Sequence, residues 1–342
     1  MKKKGKSKLF IILAIFIILI LANLIVFTVK YTSNEKKPLE ISKNEVNVTV
    51  NKGESLYGIF ERLNNEGILK SSFFSKIYAN FNGVKGGIQP GEYSFKQDTS
   101  LKEFIEILQT GKVISTKITF PEGYTIDDIA KKLDESGLAT KVEFLEAVKT
   151  YPLPSYVKPN ENERYALEGF LFPDTYNFSP KITSNEIIET MLSRFEEVMK
   201  EIEKETGKTI SEEEYEKYVT IASMIEKEAR IDNERSKIAS VIYNRLNKDM
   251  NLQIDATVLY ALGKHKEVVL YKDLKINSPY NTYKIKGLPA GPICNPGKPS
   301  LLAAINPEQT EYLFYVYSSI ENKHVFSKTY EEHKKISKDL GY

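Results

Sequence analysis

The chain has 342 residues, 41% hydrophobic and 27% charged, the balance of a globular protein with one large core or two ordinary ones. Its net charge of +2 hides an asymmetry. The first 30 residues hold six lysines and no acid, which leaves 42 basic against 46 acidic side chains beyond them, and so no electrostatic footprint for nucleic acid. A single cysteine, Cys294, excludes an internal disulfide and any cysteine-rich metal site. His265, His324 and His333 are too scattered for a zinc pair at helical spacing. There is no Walker loop, no G-x-G-x-x-G and no G-x-S-x-G, so the chemistry falls to carboxylates, amides and hydroxyls, with no metal and no cofactor expected.

In chain order, residues 1–8 form a tail carrying Lys2, Lys3, Lys4, Lys6 and Lys8. Residues 9–29 are uncharged and apolar apart from Asn23 and Thr28. At about 1.5 Å per residue, a helix of that length spans a bilayer core of roughly 30 Å. A cleaved signal peptide would have an apolar stretch of about 7–15 residues and a small-x-small site, and residues 24–33, LIVFTVKYTS, supply none. The preceding lysines keep the N-terminus cytoplasmic and place the rest outside the cell membrane, as a single-pass anchor. Residues 30–45 are polar and aperiodic and read as a short linker.

Residues 46–150 contain a repeat at an offset of 70. Gly53 matches Gly123, Ile59 matches Ile129, Leu63 matches Leu133, Gly67 matches Gly137 and Phe74 matches Phe144. Each copy runs from a strand through a Gly turn to a hydroxyl N-cap (Ser55 or Thr125), an amphipathic helix, a Gly stop and a second short helix. Between the copies lie a strand, QPGEYSF, and a helix capped by Ser100 and Glu103 that ends before Gly111. A strand followed by two small helices resembles a LysM-like module, a type that binds N-acetylated sugar polymers. A plain packing scaffold is the competing reading.

From residue 160 to 342 the texture is that of an α+β domain rather than a repeating βαβ sheet. Thr183 and Glu186 cap a long helix ended by Gly207, and Ser211 with Glu214 caps a second running to about Arg230. A third helix covers about 233–247. Loops, a short helix from Leu301, a hairpin turning at Asn322-Lys323 and a final helix close the domain.

Helical phase picks out one acid. At about 100° per residue, Tyr215, Tyr218, Val219, Ala222, Ile225 and Ala229 share a face of the second helix. Glu226 lies on that face, whereas Glu228 points well away. An apolar setting favours the protonated carboxyl that a general acid needs at neutral pH. The bland alternative is a buried ion pair with Arg230 or Arg245. Other residues have equally bland readings: Asp255 as a helix N-cap, Asn244 and Arg245 paired within the fold, Tyr280-Asn281-Thr282-Tyr283 as a turn. His324 reads as surface and Cys294 as an inert buried thiol. Loops rich in Tyr, Asn, Thr and Gln also suit a sugar cleft, where rings stack on pyranose faces and amides bond hydroxyls.

The strings LEGFLFPDTY (167–176), IASMIEKEA (221–229), ERSKIASVIYNRL (234–246), LQIDATVLYAL (252–262), SPYNTY (278–283) and GLPAGPICNPG (287–297), in that order, resemble the MltG/YceG-like endolytic murein transglycosylases. The resemblance covers residues 160–330, and an anchor with a LysM-like region fits that family's layout. It implies a lyase that cuts the MurNAc–GlcNAc bond of peptidoglycan glycan strands, leaves 1,6-anhydro-MurNAc ends and so ends strand elongation. It makes Glu226 the catalytic acid and base. Glu168, Asn244, Gln253, Asp255, Tyr280, Asn281 and Tyr283 are implied, by motif membership, to hold the sugars. Peptidoglycan synthases are the candidate protein partners. Two rival readings remain: a muramidase that hydrolyses the same bond, and an inactive wall-binding scaffold.

Overall fold

The computed structural model describes residues 3–41, 44–84, 86–111, 115–158, 160–263 and 269–342; Lys2 and His265 lie outside them. The chain divides into two compact units, residues 1–116 and 117–342.

The first unit begins with α1 (Lys3–Lys36), a helix apolar enough over its length to cross a membrane. It is longer than the 9–29 stretch that hydropathy marks, because its last turns have something to pack on. Phe27 and Tyr31 meet Phe74 edge-on, and Asn34 Nδ2 donates to Ser75 Oγ at 3.0 Å. Leu39, inside the expected linker, is buried and bridges to Leu69. The segment read as a short linker is therefore docked through at least part of its length.

Next come β1 (Glu45–Val50), α2 (Leu56–Asn65), α3 (Ser72–Phe81), β2 (Gly91–Lys96) and α4 (Leu101–Thr110). β1 and β2 pair antiparallel, from Glu45 opposite Lys96 to Val50 opposite Gly91. Strand alternation turns Val48 and Val50 inward. Ser55 and Ser71 cap their helices as hydroxyl N-caps do, and Ser100 accepts the Glu103 N–H. Phe60, Phe95 and Phe104 are fully buried, with Phe95 and Phe104 centroids 4.3 Å apart. Each such side chain contributes roughly 2–3 kcal/mol by leaving water.

In the second unit, β3 (Thr116–Thr119), α5 (Ile126–Ser136), α6 (Lys141–Thr150) and β4 (Thr175–Phe178) repeat the strand–helix–helix–strand order, with β3 and β4 sharing a sheet. Ile126, Ile129, Leu133 and Phe144 of this copy belong to the same core as the helices that follow. The two repeat copies thus serve different cores, and residues 46–150 do not form one body. α7 (Ser184–Thr206) starts at the expected Thr183–Glu186 capping box and stops at Gly207. Then come α8 (Tyr215–Glu228), α9 (Arg235–Asn247), α10 (Asp255–Leu262) and α11 (Lys298–Ile305). An antiparallel hairpin of β5 (Phe314–Ser318) and β6 (Lys323–Ser327) and a last helix, α12 (Tyr330–Asp339), finish the chain.

Helix α8 is central. It packs against α9, α10 and α11, and every residue from Val219 to Ile225 is buried. A helix covered on all sides has no single apolar face, so helical phase overstates the contrast between its glutamates.

Candidate active site

Glu226 stands near the C-terminal end of α8 with its side chain 7% exposed. Its setting is not the apolar one expected. Oε2 accepts the Gly297 N–H at 3.0 Å and the Ser300 hydroxyl at 2.8 Å, and Oε1 pairs with Arg235 Nη1 at 3.2 Å. The ion-pair partner is therefore neither Arg230, which lies over the Tyr317 ring, nor Arg245, which donates to the Leu252 and Leu313 carbonyls. Arg235 is itself held by Asp232 at 3.1 Å, at the start of α9.

The loop before α11 exists to deliver that N–H. Ser223, one turn before Glu226, accepts the Ile293 N–H and its carbonyl receives the Cys294 thiol. Burial pushes that thiol well above its usual range, consistent with an inert group. Asn295 is fully buried and exchanges backbone bonds with the 123–124 turn: Gly123 N–H donates to its carbonyl and its N–H donates to the Tyr124 carbonyl. Its side-chain Oδ1 accepts the Leu171 N–H, while Nδ2 reaches Tyr124 and Glu168. Lys227 Nζ donates to the Gly123 carbonyl at 2.6 Å. Gly169 has φ +89°, and a Cβ there would stand 2.5 Å from Val219, so the LEGF turn presses directly on α8.

Two cavities open beside this end of α8. One of about 370 Å³ is lined by Glu122, Gly123, Tyr124 and Lys132 among others; the other, about 290 Å³, by Thr125, Arg164 and Tyr260 among others. Asp128 and Lys227 line both, which makes a groove with a mixed-charge floor.

The residues expected to hold sugar divide into two sets. Glu168 is fully buried, and its oxygens accept from the Ile126 N–H, Asn295 Nδ2 and the Tyr260 hydroxyl. Burial pushes its carboxyl up to about 8. Asn281 is fully buried too and donates to the Leu274 and Ile276 carbonyls. Asn244 donates to the Thr310 and Tyr312 carbonyls, and the Tyr280 hydroxyl accepts the Arg164 N–H. These four fasten neighbouring backbone or side chains, and Glu168 and Asn281 present no exposed surface. Gln253, Asp255 and Tyr283 differ. Gln253 is exposed at a positive φ of 53°, and the Tyr283 hydroxyl donates to Asp255 at 2.6 Å at the surface. Asp255 lies in the first turn of α10, whose N-cap is Ile254, so its carboxylate is not spent on capping.

Other expectations need correction. Glu226 is not the one glutamate of this helix end set against the core: Glu228, on another face, accepts the Tyr315 hydroxyl, and burial pushes its carboxyl up to about 7. His324 is not at the surface, since Nδ1 bonds Glu234 at 2.9 Å in a buried setting. Arg235, Ser300, Gly297 and Glu122 were not singled out by sequence. Arg235 lies inside the quoted block 234–246 and Gly297 ends the block 287–297, but Arg235 shares its block with Lys237 and Arg245, so membership alone does not mark it.

Residues 48–339 match the YceG-like family, and the chain belongs to it. An endolytic murein transglycosylase of Bacillus subtilis (strain 168) is 38% identical over 307 residues, which cover 86% of this chain and 84% of that protein. One from Streptococcus pneumoniae is 30% identical over 339 residues, 90% of this chain but 60% of that longer protein. The 2.6 Å crystal structure of a YceG-like protein from Listeria monocytogenes is 34% identical, superposes with a TM-score of 0.57, and covers 86% of this chain and all of its own.

Proposed function

We propose that Glu226 is the acid and base of an endolytic murein transglycosylase. The chain is a lyase that cuts peptidoglycan glycan strands internally. The observation that carries the residue assignment is the Glu226 carboxylate, nearly buried, packed beside the Gly123 turn that lines the larger cavity, and fixed by three donors from two other elements. Such fixing holds a reacting group in one geometry, which is worth more than raw acidity. In the reaction, Glu226 gives its proton to the oxygen between MurNAc and GlcNAc as the C1–O bond breaks. As a carboxylate it then takes the proton of the muramic C6 hydroxyl while that oxygen closes on C1. The nucleophile belongs to the same sugar, so its effective concentration is high and no water is consumed.

Gln253, Asp255 and Tyr283 are the proposed sugar-holding residues, because their polar groups remain accessible. The strand–helix–helix–strand order of both repeat copies, with β1 antiparallel to β2, supports a LysM-like reading and hence glycan contact. The apolar α1 serves as a single-pass membrane anchor, oriented by the N-terminal lysines with the chain that follows it outside, where synthases would be neighbours. Glu226→Gln keeps the shape and one acceptor oxygen, enough for the Gly297 and Ser300 contacts, but gives up the Arg235 ion pair and cannot carry the proton. It should fold as the wild type and lose about 10²–10⁴-fold in strand cleavage. Wild-type cleavage by that variant would remove Glu226 from the mechanism.

A further inference from the structure

Glu122 has no role so far. It belongs to the Gly turn of the second repeat copy, Pro121-Glu122-Gly123, where the first copy has Asn51-Lys52-Gly53. Lys227 and Asn295 bolt that turn beside the end of α8 through the Gly123 carbonyl and N–H. Gly297 is where the two acids meet. A Cβ on Gly297 would stand 1.9 Å from Glu122 Oε1, so this oxygen rests against the bare α-carbon. The N–H of the same residue donates to Glu226 Oε2 at 3.0 Å. Two carboxyl groups therefore flank one glycine, and Glu122 also lines the larger cavity of the groove.

We propose that Glu122 and Glu226 act as a carboxyl pair that resists double ionisation across Gly297, with Glu122 as the positioning residue whose charge favours the acid form of Glu226. The inference rests on Glu226 being the acid and base. Arg235, Ser300 and the Gly297 N–H are all donors suited to a carboxylate, yet the first step needs a proton on Glu226. A like charge close by supplies the opposing push, since two adjacent carboxylates resist double ionisation and titrate as a unit. Burial and then the Glu226 charge push the Glu122 carboxyl up, against Arg235 and with Asp232. Lys227, Asp128, Lys131, Lys132 and Glu135 are the other charged groups on that cavity. The protons balance. Glu226 gives one to the glycosidic oxygen as C1–O breaks and regains one from the C6 hydroxyl as O6–C1 forms, and Glu122 exchanges none with the substrate.

The test is the rate of anhydro-end formation by the detergent-solubilised full chain on isolated glycan strands, from about pH 5 to about pH 9. Wild type, Glu122→Gln, Glu122→Asp and Glu226→Gln are compared, each with its thermal midpoint. In Glu122→Gln the alkaline limb should move down by at least about one pH unit, so the rate near pH 8 drops about tenfold or more while the rate near pH 5 is largely kept. Glu122→Asp, which keeps the charge, should hold the limb in place. Glu122→Ser gives the same comparison should the amide disturb the turn. A limb that coincides with wild type, at full or uniformly reduced rate, overturns the pairing. If instead Glu226→Gln forms anhydro ends as fast as wild type, the failure lies with the Glu226 assignment.

Discussion

Glu168 offers the sharpest contrast between a site residue and a structural one. Replacing it by alanine removes the acceptor for the Ile126 N–H at 3.0 Å and the Tyr260 hydroxyl at 2.9 Å, both buried. Asn295 Nδ2 keeps a second acceptor in the Tyr124 carbonyl. Two orphaned donors at about 1–3 kcal/mol each give a loss of roughly 2–6 kcal/mol. For a unit of this size that lowers the melting midpoint by roughly 5–20 °C. The chain has no tryptophan, so circular dichroism of the helices is the suitable probe. Glu168→Gln tests the charge separately. The folded-state carboxyl is pushed up to about 8 against an ordinary value near 4.5, so the folded state holds the proton more tightly than the unfolded one. Its contribution is complete at low pH and declines as pH rises from about 4.5 through about 8. The midpoint of the wild type should therefore fall over that window, and that of Glu168→Gln should fall less. A Glu168→Ala protein with an unchanged midpoint and weakened glycan binding would refute the argument and return Glu168 to the cleft.

Arg235→Ala removes the cation from the Glu226 carboxylate and one anchor of Ser300. Strand cleavage should drop about 10²-fold with the midpoint shifted by only a few degrees, measured by product release and circular dichroism. Gly297→Ala places a methyl where Glu122 Oε1 now rests and should reduce cleavage about tenfold or more; full activity would mean that the turn can shift freely. Glu163 and Glu216 face each other where burial, and for Glu163 the Glu216 charge, push the two carboxyls up to about 8 and about 7. As both ionise above neutral pH the loop carrying Glu163 should loosen from α8, seen as faster amide exchange at residues 160–164. Glu163→Gln should suppress that pH dependence.

Much of the scaffold is readable from local chemistry. Hydropathy finds α1, though not its last turns, whose stability comes from Phe74 and Ser75 far along the chain. The caps at Ser55, Thr125 and Thr183 are local hydrogen bonds and so visible in short strings. Glu226 emerges from helical phase for a reason that does not survive. α8 is buried all round from Val219 to Ile225, and the carboxylate is surrounded by donors rather than by apolar walls. Those donors come from Gly297 and Ser300, 71 and 74 residues away, and no periodicity reports contacts at that range. The same limit explains Glu168 and Asn281. Their strings look like site motifs, yet both side chains fasten backbone inside the core.

Two carboxyl groups at one site are also what a hydrolase uses, one as acid and the other as base or nucleophile, so the product decides the central claim. Glycan strands digested by the full chain in ¹⁸O-labelled water and read by mass spectrometry should carry 1,6-anhydro-muramic ends, one water lighter than reducing ends and free of label. Reducing ends that carry ¹⁸O would contradict the account and make the enzyme a muramidase.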